Sequence, residues 1–444
     1  MDAINMKVIC AYPANIDAVC TVSGETLSPL IPSDRDFRIE LKTSIASRED
    51  LLSSLLYCMR HGSGAEALIE DRALARQIEE DSAFSWRLRL GGNAAIMANV
   101  LASRGAEPVL NAPALGPRLA GLLHPRIRLP RNGVLMNPAQ AADCGQQAHD
   151  EMVHYVFQFQ ENERIAVGDE DIKFVTPQAN RFIATYDPIN SRMLTDRHFD
   201  SYCLDNIKSI SGALVSGFHL ASHDQRQEIF SRSAAQIKSW KKDNPRLFIH
   251  VEMGSFPAAC VMSSLLDHLR KIPIDSLGLN EDELALALHG ESSELRDDAA
   301  PEKWQQFQLL REAEGLRRRQ GLFRVAVHTR DCILSVMKAG RITPSQELAA
   351  LQCGTNAAAS LAATGSAAGN PGASAVVNSA GLQAKEMLCR LDGARAEGRG
   401  AFLISGDLII SLMPSLLVRK PSFTVGLGDT ATAAIFLREL EAII

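Results

Sequence analysis

An α/β fold with a largely parallel sheet is predicted from the chain, and three observations predict it. Short β-branched or apolar runs alternate with longer helical patterns along most of the sequence, the order that strands joined by crossover helices require. The alternation is interrupted between Met152 and Ala166 and again at Phe182 to Tyr186, where strand-like runs are separated by acids and turns, as a smaller inserted sheet would produce. The length of 444 residues exceeds one typical core and implies about two or three structural units.

Taken in order, "MDAINMKVICAY" carries an early acid and no long apolar core, so it is read as a first strand and not as a leader. Further on, "EDLLSSLLYCMRHG", "NAAIMANVLASRG", "QEIFSRSAAQIKSWKKD" and "SSLLDHLRK" have helical patterns, while "ALVSGFHL", "LFIHVEM" and "LFRVAVHT" are strand-like. The small-residue segment "AAASLAATGSAAGNPGASAVV" suits a closely packed helix in its first half and a loop around Gly369 to Ala373. The most apolar stretch, "AFLISGDLIISLMPSLLV", is interrupted by Gly406, Asp407 and Pro414 and reads as a hairpin of two buried strands, not a membrane span. No internal repeat is present.

Composition excludes several classes. An apolar fraction of 46% and a charged fraction of 22% are ordinary for a globular protein. The formal net charge of -6 leaves no basic footprint for nucleic acid, and the cluster Arg317 to Arg319 in "LLREAEGLRRRQG" is expected to be a solvated helix face. Nine cysteines are scattered singly without a Cys-x-x-Cys pair, which predicts reduced thiols and a cytoplasmic protein.

The stretch with the most chemical content is "FTVGLGDTATAAIF", Phe423 to Phe436. Gly426 and Gly428 remove Cβ atoms that would block an anion and permit a turn of successive N–H groups. The helix-compatible residues after Thr430 would aim the positive end of a helix at that anion. Asp429 lies where a carboxylate would repel a phosphate unless a hydroxyl, a proton or a metal stood between them. A kinase site places a substrate hydroxyl there, while a helix cap is the alternative role. Elsewhere, "HVE" puts His250 and Glu252 on one side of a strand, as buried partners or as a site. "NEDE" sets Asn280 and Glu283 three apart at a helix start, as an N-cap with its acid or as oxygen donors to metal-bound water. No Gly-x-x-x-x-Gly-Lys-[Ser/Thr] occurs, so a P-loop kinase is unsupported.

The ordered set "PANIDAV", "GGNAAIMANVLASRGAEPV", "VHYVFQF", "QANRFIATYD", "IHVEMGS", "SLGLNEDELA", "VAVHT" and "KPSFTVGLGDTATAAIF" resembles the archaeal ADP-dependent glucokinase and phosphofructokinase family of the ribokinase-like superfamily, from about Cys10 to Phe436. The resemblance implies a large Rossmann-like domain, a smaller β-rich lid and a site in the cleft between them. The domains are expected at residues 1–20, 46–117 and 200–444 for the larger and 21–45 and 118–199 for the lid. Asp429 then matches the catalytic base, with Gly426, Leu427 and Gly428 forming the anion hole and Arg181 in "NRFI" lying over the phosphates as the lid closes. The same resemblance assigns Asn15, Asp17, Glu66, Gly91, Gly92, Asn93 and His154 to the sugar. It assigns His328, Thr329, Pro414, Leu416, Val418 and Val425 to the nucleotide, and His250, Glu252, Asn280, Glu283 and Asp429 to organising Mg2+ or another divalent cation.

The implied reaction uses ADP as donor to a hexose or hexose phosphate, with small-molecule sugar and nucleotide as partners, no nucleic acid or membrane, and a monomer or small homo-oligomer. Residue chemistry alone would allow ATP. Glu66 favours glucose; against this, Asn93 and "ANRF" stand where glucokinases usually have glutamine and "ENRF", and Arg164 is the candidate lid cation for a 6-phosphate. "HVEMGS" carries methionine and glycine where relatives usually have an aromatic residue and alanine. The competing readings are an ATP-dependent ribokinase-like kinase, an inactive sugar-binding homologue and a Rossmann oxidoreductase. The last predicts Gly-x-Gly-x-x-Gly after the first strand, where "AYPANIDAV" stands.

Overall fold

The computed structural model describes residues 6–32, 37–144, 150–166, 174–222, 224–254, 256, 258–289 and 302–444. Two sheets organise them. The larger has ten strands, in the order Ala394–Glu397, Gly400–Ser405, Leu408–Pro414, Cys332–Lys338, Arg324–His328, Ser276–Leu279, Phe248–Glu252, Gly212–Val215, Lys7–Ala11 and Glu107–Leu110. From Glu107–Leu110 to Arg324–His328 all neighbours are parallel, and the remaining strands add antiparallel, including the expected hairpin through Gly406 and Asp407. The fold class is the one the sequence predicts, a mainly parallel sheet flanked by helices with a smaller β-rich unit.

Both faces of the larger sheet are covered, as its near-continuous apolar strands require. Along the first strand Val8 and Cys10 enter one core with Phe436 and Leu440, whereas Ile9 and Ala11 enter the other with Phe230 and Trp240, the two-residue period of a strand. The helix Leu427–Ile443 lies close on the sheet because Gly212 has no side chain; a Cβ there would come within 2.7 Å of the Phe436 ring. Gly354 does the same for the helix Pro344–Thr364, where a Cβ would lie 2.5 Å from Ile435.

The smaller sheet has the order Ser44–Ile45, Ala65–Ile69, Asn180–Tyr186, Val153–Phe159, Asn15–Thr21 and Arg87–Gly91. Strand pairing departs from the expected domain limits at three places. Asn15–Thr21 and two of the three strands within 46–117, Ala65–Ile69 and Arg87–Gly91, belong to the smaller sheet, and the hairpin Leu129–Arg131/Val134–Met136 sits beside the larger one, joined by a bridge between Val109 and Arg128. The reason is non-local pairing. Asn15–Thr21 bonds in parallel to Val153–Phe159 and antiparallel to Arg87–Gly91, and neither partner is adjacent in sequence.

A correction concerns Arg317, expected on a solvated face. It is 5% exposed and donates to the Leu322 carbonyl at 3.0 Å, tying off the end of its helix, while Arg318 and Arg319 are exposed. Among the described residues no helix is long and apolar enough to cross a membrane, and all nine cysteines are free thiols.

One buried cation of the core stands between two carboxylates. Arg324 is 1% exposed and its Nε lies 3.0 Å from Glu347 and 2.8 Å from Glu439. Burial pushes the Glu439 carboxyl up against the pull of Arg324, and the charge of Glu347 pushes it the same way. Removing the cation leaves two buried acids facing each other. Arg324→Met should therefore destabilise the fold by about 3–5 kcal/mol, measured by urea unfolding; a loss below about 1 kcal/mol would show that the cluster is held by packing alone.

Candidate functional site

The chain passes from the larger sheet to the smaller one in three residues, Tyr12 to Ala14, between Lys7–Ala11 and Asn15–Thr21. Asn15 opens the second strand, fully buried, with its amide donating to Asp17 at 2.8 Å. Opposite Asn15 stands Gly91, where a Cβ would fall 2.1 Å from Asp17 Oδ1 and 2.2 Å from Asn15 Nδ2. Only glycine leaves room for that amide and carboxylate. Gly92, at φ 82, caps the helix Asn93–Ser103, and a Cβ on it would strike the Pro13 carbonyl at 2.6 Å.

These residues line a cavity of about 580 Å³ between the sheets, shared by Asn15, Asp17, Glu66, Arg181, His154 and Asp429. Glu66 accepts from the Thr185 hydroxyl at 2.7 Å. His154 bonds Asp187 at 2.9 Å; burial pulls this imidazole down, but the bond to Asp187 and its charge outweigh that and raise it to about 9. Burial raises the Asp17 carboxyl, while the His154 charge and the Asn15 bond oppose the rise. The cavity thus presents carboxyl groups with an imidazolium, His154, among them, groups that bond hydroxyls.

Asp429 lies in the first turn of Leu427–Ile443, whose N-cap, Gly426, has φ 74. Its Oδ1 accepts from the Asn93 amide at 2.8 Å, and Asn93, expected on the sugar, also lines the first cavity. Burial lifts Asp429 to about 6; the Asn93 bond and His328 resist, and Glu252 adds to the lift. A carboxylate raised toward neutrality is a better proton acceptor than a solvated one.

Behind this turn runs a chain of bonds from the core. Ser276 bonds His250 Nδ1 at 2.9 Å, His250 Nε2 bonds Glu252 at 3.0 Å, and Glu252 also takes His328 at 2.7 Å and the Thr432 hydroxyl at 3.0 Å. Burial alone would raise Glu252, yet the His328 charge and the two imidazole bonds hold it at about 2. Conversely, burial would lower His328, and the Glu252 charge and bond raise it to about 9. His250 is driven down, chiefly by burial, despite Glu252, so with Glu252 ionised its Nε2–H donates and its Nδ1 accepts from Ser276. The charged His328 ring lies against the turn because position 428 is glycine: a Cβ there would be 3.2 Å from His328 Cε1.

"NEDE" folds as a reciprocal cap. The Asn280 side chain accepts from the Glu283 amide at 2.8 Å, and the Glu283 carboxylate takes the Asn280 backbone and side-chain N–H groups, each at 3.0 Å. Burial raises Glu283 to about 7, opposed by His328 and helped by Glu252 and Asp429. Both the cap and the acidic neighbourhood are therefore real.

A second cavity, of about 420 Å³, lies on the other side of the turn. It is lined by His328, Thr329, Leu416, Val418, Leu427 and Gly428, and the helix Pro344–Thr364 floors it through Thr355, Ala358, Ala359 and Ala362. Two expected nucleotide residues lie elsewhere. Pro414 is buried at the end of its strand, against Gly381, and Val425 lines the first cavity. Arg164 sits on the short strand Arg164–Ile165, outside both walls. The second arginine of the first cavity is instead Arg89, whose guanidinium lies 4.8 Å over the Phe423 ring. The signal for it was present in "WRLRLGG", where Arg89 alternates with Arg87 at strand spacing. His219, also in the first cavity, carries no motif and was missed.

Residues 6–438 match the conserved region described as ADP-specific phosphofructokinase/glucokinase. An ADP-specific phosphofructokinase of Methanosarcina acetivorans is 26% identical, over 98% of this chain and 93% of its own length. An ADP-dependent glucose/glucosamine kinase of Pyrococcus furiosus is 27% identical, over 98% and 94%. The crystal structure of a hypothetical ADP-dependent phosphofructokinase from Pyrococcus horikoshii shares the fold, with a TM-score of 0.78 at 24% identity over 99% of both chains. With a match spanning nearly the whole sequence, this chain belongs to the ADP-specific phosphofructokinase/glucokinase family.

Proposed function

We propose that the protein transfers the β-phosphoryl group of ADP to a hydroxyl of a hexose or hexose phosphate, yielding AMP. One observation carries the reading: the turn Gly426 to Asp429 stands between two cavities, with Gly426 and Asp429 in the wall of one and Leu427 and Gly428 in the wall of the other. A sugar in the first cavity and a nucleotide in the second would meet there. Family membership and the names of the relatives support ADP as donor and a hexose or its phosphate as acceptor.

In this mechanism the sugar oxygen attacks the β-phosphorus as its proton passes to Asp429, and the bond to the bridging oxygen breaks to release AMP. The N–H groups of Gly426, Leu427 and Gly428 at the helix start receive the phosphoryl oxygens. Imidazolium His328 lies beside them, and Arg181 adds charge from the smaller sheet, which acts as the lid. Asn15 and Asp17 hold sugar hydroxyls, and neighbouring helix and strand residues exclude water. Asp429→Asn should lower turnover by roughly 100- to 10,000-fold with sugar binding little changed. The metal-free variant should also be more stable at pH 8, by about 1–2 kcal/mol, because a carboxyl near 6 when folded against 3.8 otherwise penalises the folded anion. That gain fades as pH falls from 6 toward 4, where both states bind the proton. Near-normal turnover would reduce Asp429 to a helix cap.

The residues expected at a divalent cation fit an indirect role. Both oxygens of Glu252 and of Glu283 already have protein partners, and no group of three or more His, Cys, Asp or Glu side chains among the described residues is arranged to hold a metal ion. Glu252 and Glu283 would therefore accept from water on a Mg2+ bound to the nucleotide phosphates, whose charge the ion neutralises. Glu283→Gln should raise the Mg2+ concentration needed for half-maximal activity, and an unchanged dependence would leave Asn280 and Glu283 as a cap alone.

The first cavity holds features for either acceptor: Glu66 suits a neutral hydroxyl, and Arg89 with Arg181 suits a phosphate. Glu66→Ala should weaken glucose use by about 1.5–3 kcal/mol, the worth of a hydrogen bond to a charged group, and should spare or improve fructose 6-phosphate use by removing a repulsive charge. The ratio of the two kcat/KM values decides; equal losses would make Glu66 a support of the cleft that does not discriminate.

A further inference from the structure

We propose that His219 reads a hydroxyl of the sugar in the first cavity, and that Gly254 is small in order to seat its ring. The inference rests on the sugar-kinase reading above and deepens it. After the strand Gly212–Val215 the chain turns through Gly217, at φ 94, and the single turn Phe218–Leu220 puts His219 and Leu220 into the cavity wall with Asn15, Asp17, Glu66 and His154. Among the described residues His219 makes no hydrogen bond: its Nδ1 is buried against Gly254 without a partner, which leaves Nε2 as the ring nitrogen for the cavity. Of the neighbouring side chains in this wall, Asn15 bonds Asp17 through its amide nitrogen, Glu66 bonds Thr185, His154 bonds Asp187 and Asn93 bonds Asp429, while the Asn15 Oδ1 is a second buried atom without a partner.

The ring is held from two sides. Phe256 meets it edge-on at 6.2 Å between centroids. On the other side is Gly254, where a Cβ would lie 2.2 Å from Nδ1 and 2.6 Å from both Cε1 and Cγ. Three atoms of a rigid ring would be struck at once, so even alanine at 254 requires the imidazole to leave its seat. Gly254 follows the strand that ends in Glu252, and glycine there is the departure noted in "HVEMGS" from a usual alanine. The departure and the histidine are thus one steric unit. Burial, with His154 nearby, lowers His219 to about 4 against the pull of Glu66, so the ring is neutral. A neutral imidazole presents one uncharged nitrogen to the cavity, which suits a hydroxyl and adds no charge for a phosphate.

The test is a double-mutant cycle on the full chain with Mg2+ and ADP, reading KM and kcat for glucose and for fructose 6-phosphate, and glucose affinity by calorimetry. His219→Ala should raise the KM of the preferred sugar about 5- to 30-fold, the effect of one lost hydrogen bond, with the KM of ADP unchanged. His219→Gln, which keeps a polar end, should recover part of that loss. Gly254→Ala should reproduce the His219→Ala effect, and the double variant should be no worse than either single one. An unchanged sugar KM in His219→Ala overturns the proposal, as does a Gly254→Ala effect that persists in full without His219, or a loss shared equally by ADP. Transfer by the unaltered protein tests the kinase reading separately: a protein that transfers normally while these variants keep its sugar KM sinks the His219 assignment alone, and one that neither binds nor phosphorylates either sugar sinks both.

Discussion

The site depends on how the chain crosses between its two sheets. Tyr12, Pro13 and Ala14 are the only residues between a strand of the larger sheet and a strand of the smaller one, so any freedom in them would be freedom between the two walls of the cleft. They are clamped from several directions. Asn111 donates to the Tyr12 carbonyl at 3.1 Å, the Ala95 amide to Pro13 at 3.2 Å and Asn190 to Ala14 at 3.4 Å. Gly92 and Gly217 close on Pro13, each too near it for a side chain. Backbone carbonyls that would otherwise be stranded in the interior are thereby satisfied. The same clamp seats the helix that carries Asn93, so Asn15, Asp17 and the partner of Asp429 share one support.

The acids that this support brings together repel one another, and the fold meets the cost locally. Glu252, Glu283 and Asp429 each raise or feel the others' ionisation. His328 is the common counterion, lowering all three while its own charge is held by Glu252. Its influence is uneven, because it touches Glu252 directly and the other two only across space. Glu252 therefore stays ionised as an anchor while Asp429 and Glu283 remain near the pH at which protons move. The difference between acids of the same chemistry is created by which of them the histidine touches.

What was legible in the sequence follows from the range of the interactions concerned. The turn at Gly426 was readable because its glycines, acid and helix are consecutive, and "NEDE" was readable as a cap for the same reason. "HVE" gave both members of a pair because a strand places alternate residues together. The limits of the smaller sheet were not readable, since Asn15–Thr21 finds its partners near residues 90 and 155. Asn93 also bonds Asp429, and nothing in "GGN" announces a carboxylate 336 positions away. Arg317 looks like its two neighbours until the helix ends and the Leu322 carbonyl needs a donor.

Substrate choice is where the remaining information is least local. The residues lining the first cavity come from the strands and turns at Asn15, Glu66, Arg89, His154, Arg181 and His219, six separate segments of the chain. Each is individually an ordinary strand or turn residue, and their common environment exists only after the two sheets are set against each other. A change in preference therefore need not alter a motif. It can arise from a side chain removed on a neighbouring turn, because in a close-packed wall the volume given up by one residue is the only volume another can occupy. Family membership is written in consecutive motifs such as the turn at Gly426, and the shape of the first cavity is written in the fit between segments far apart in sequence.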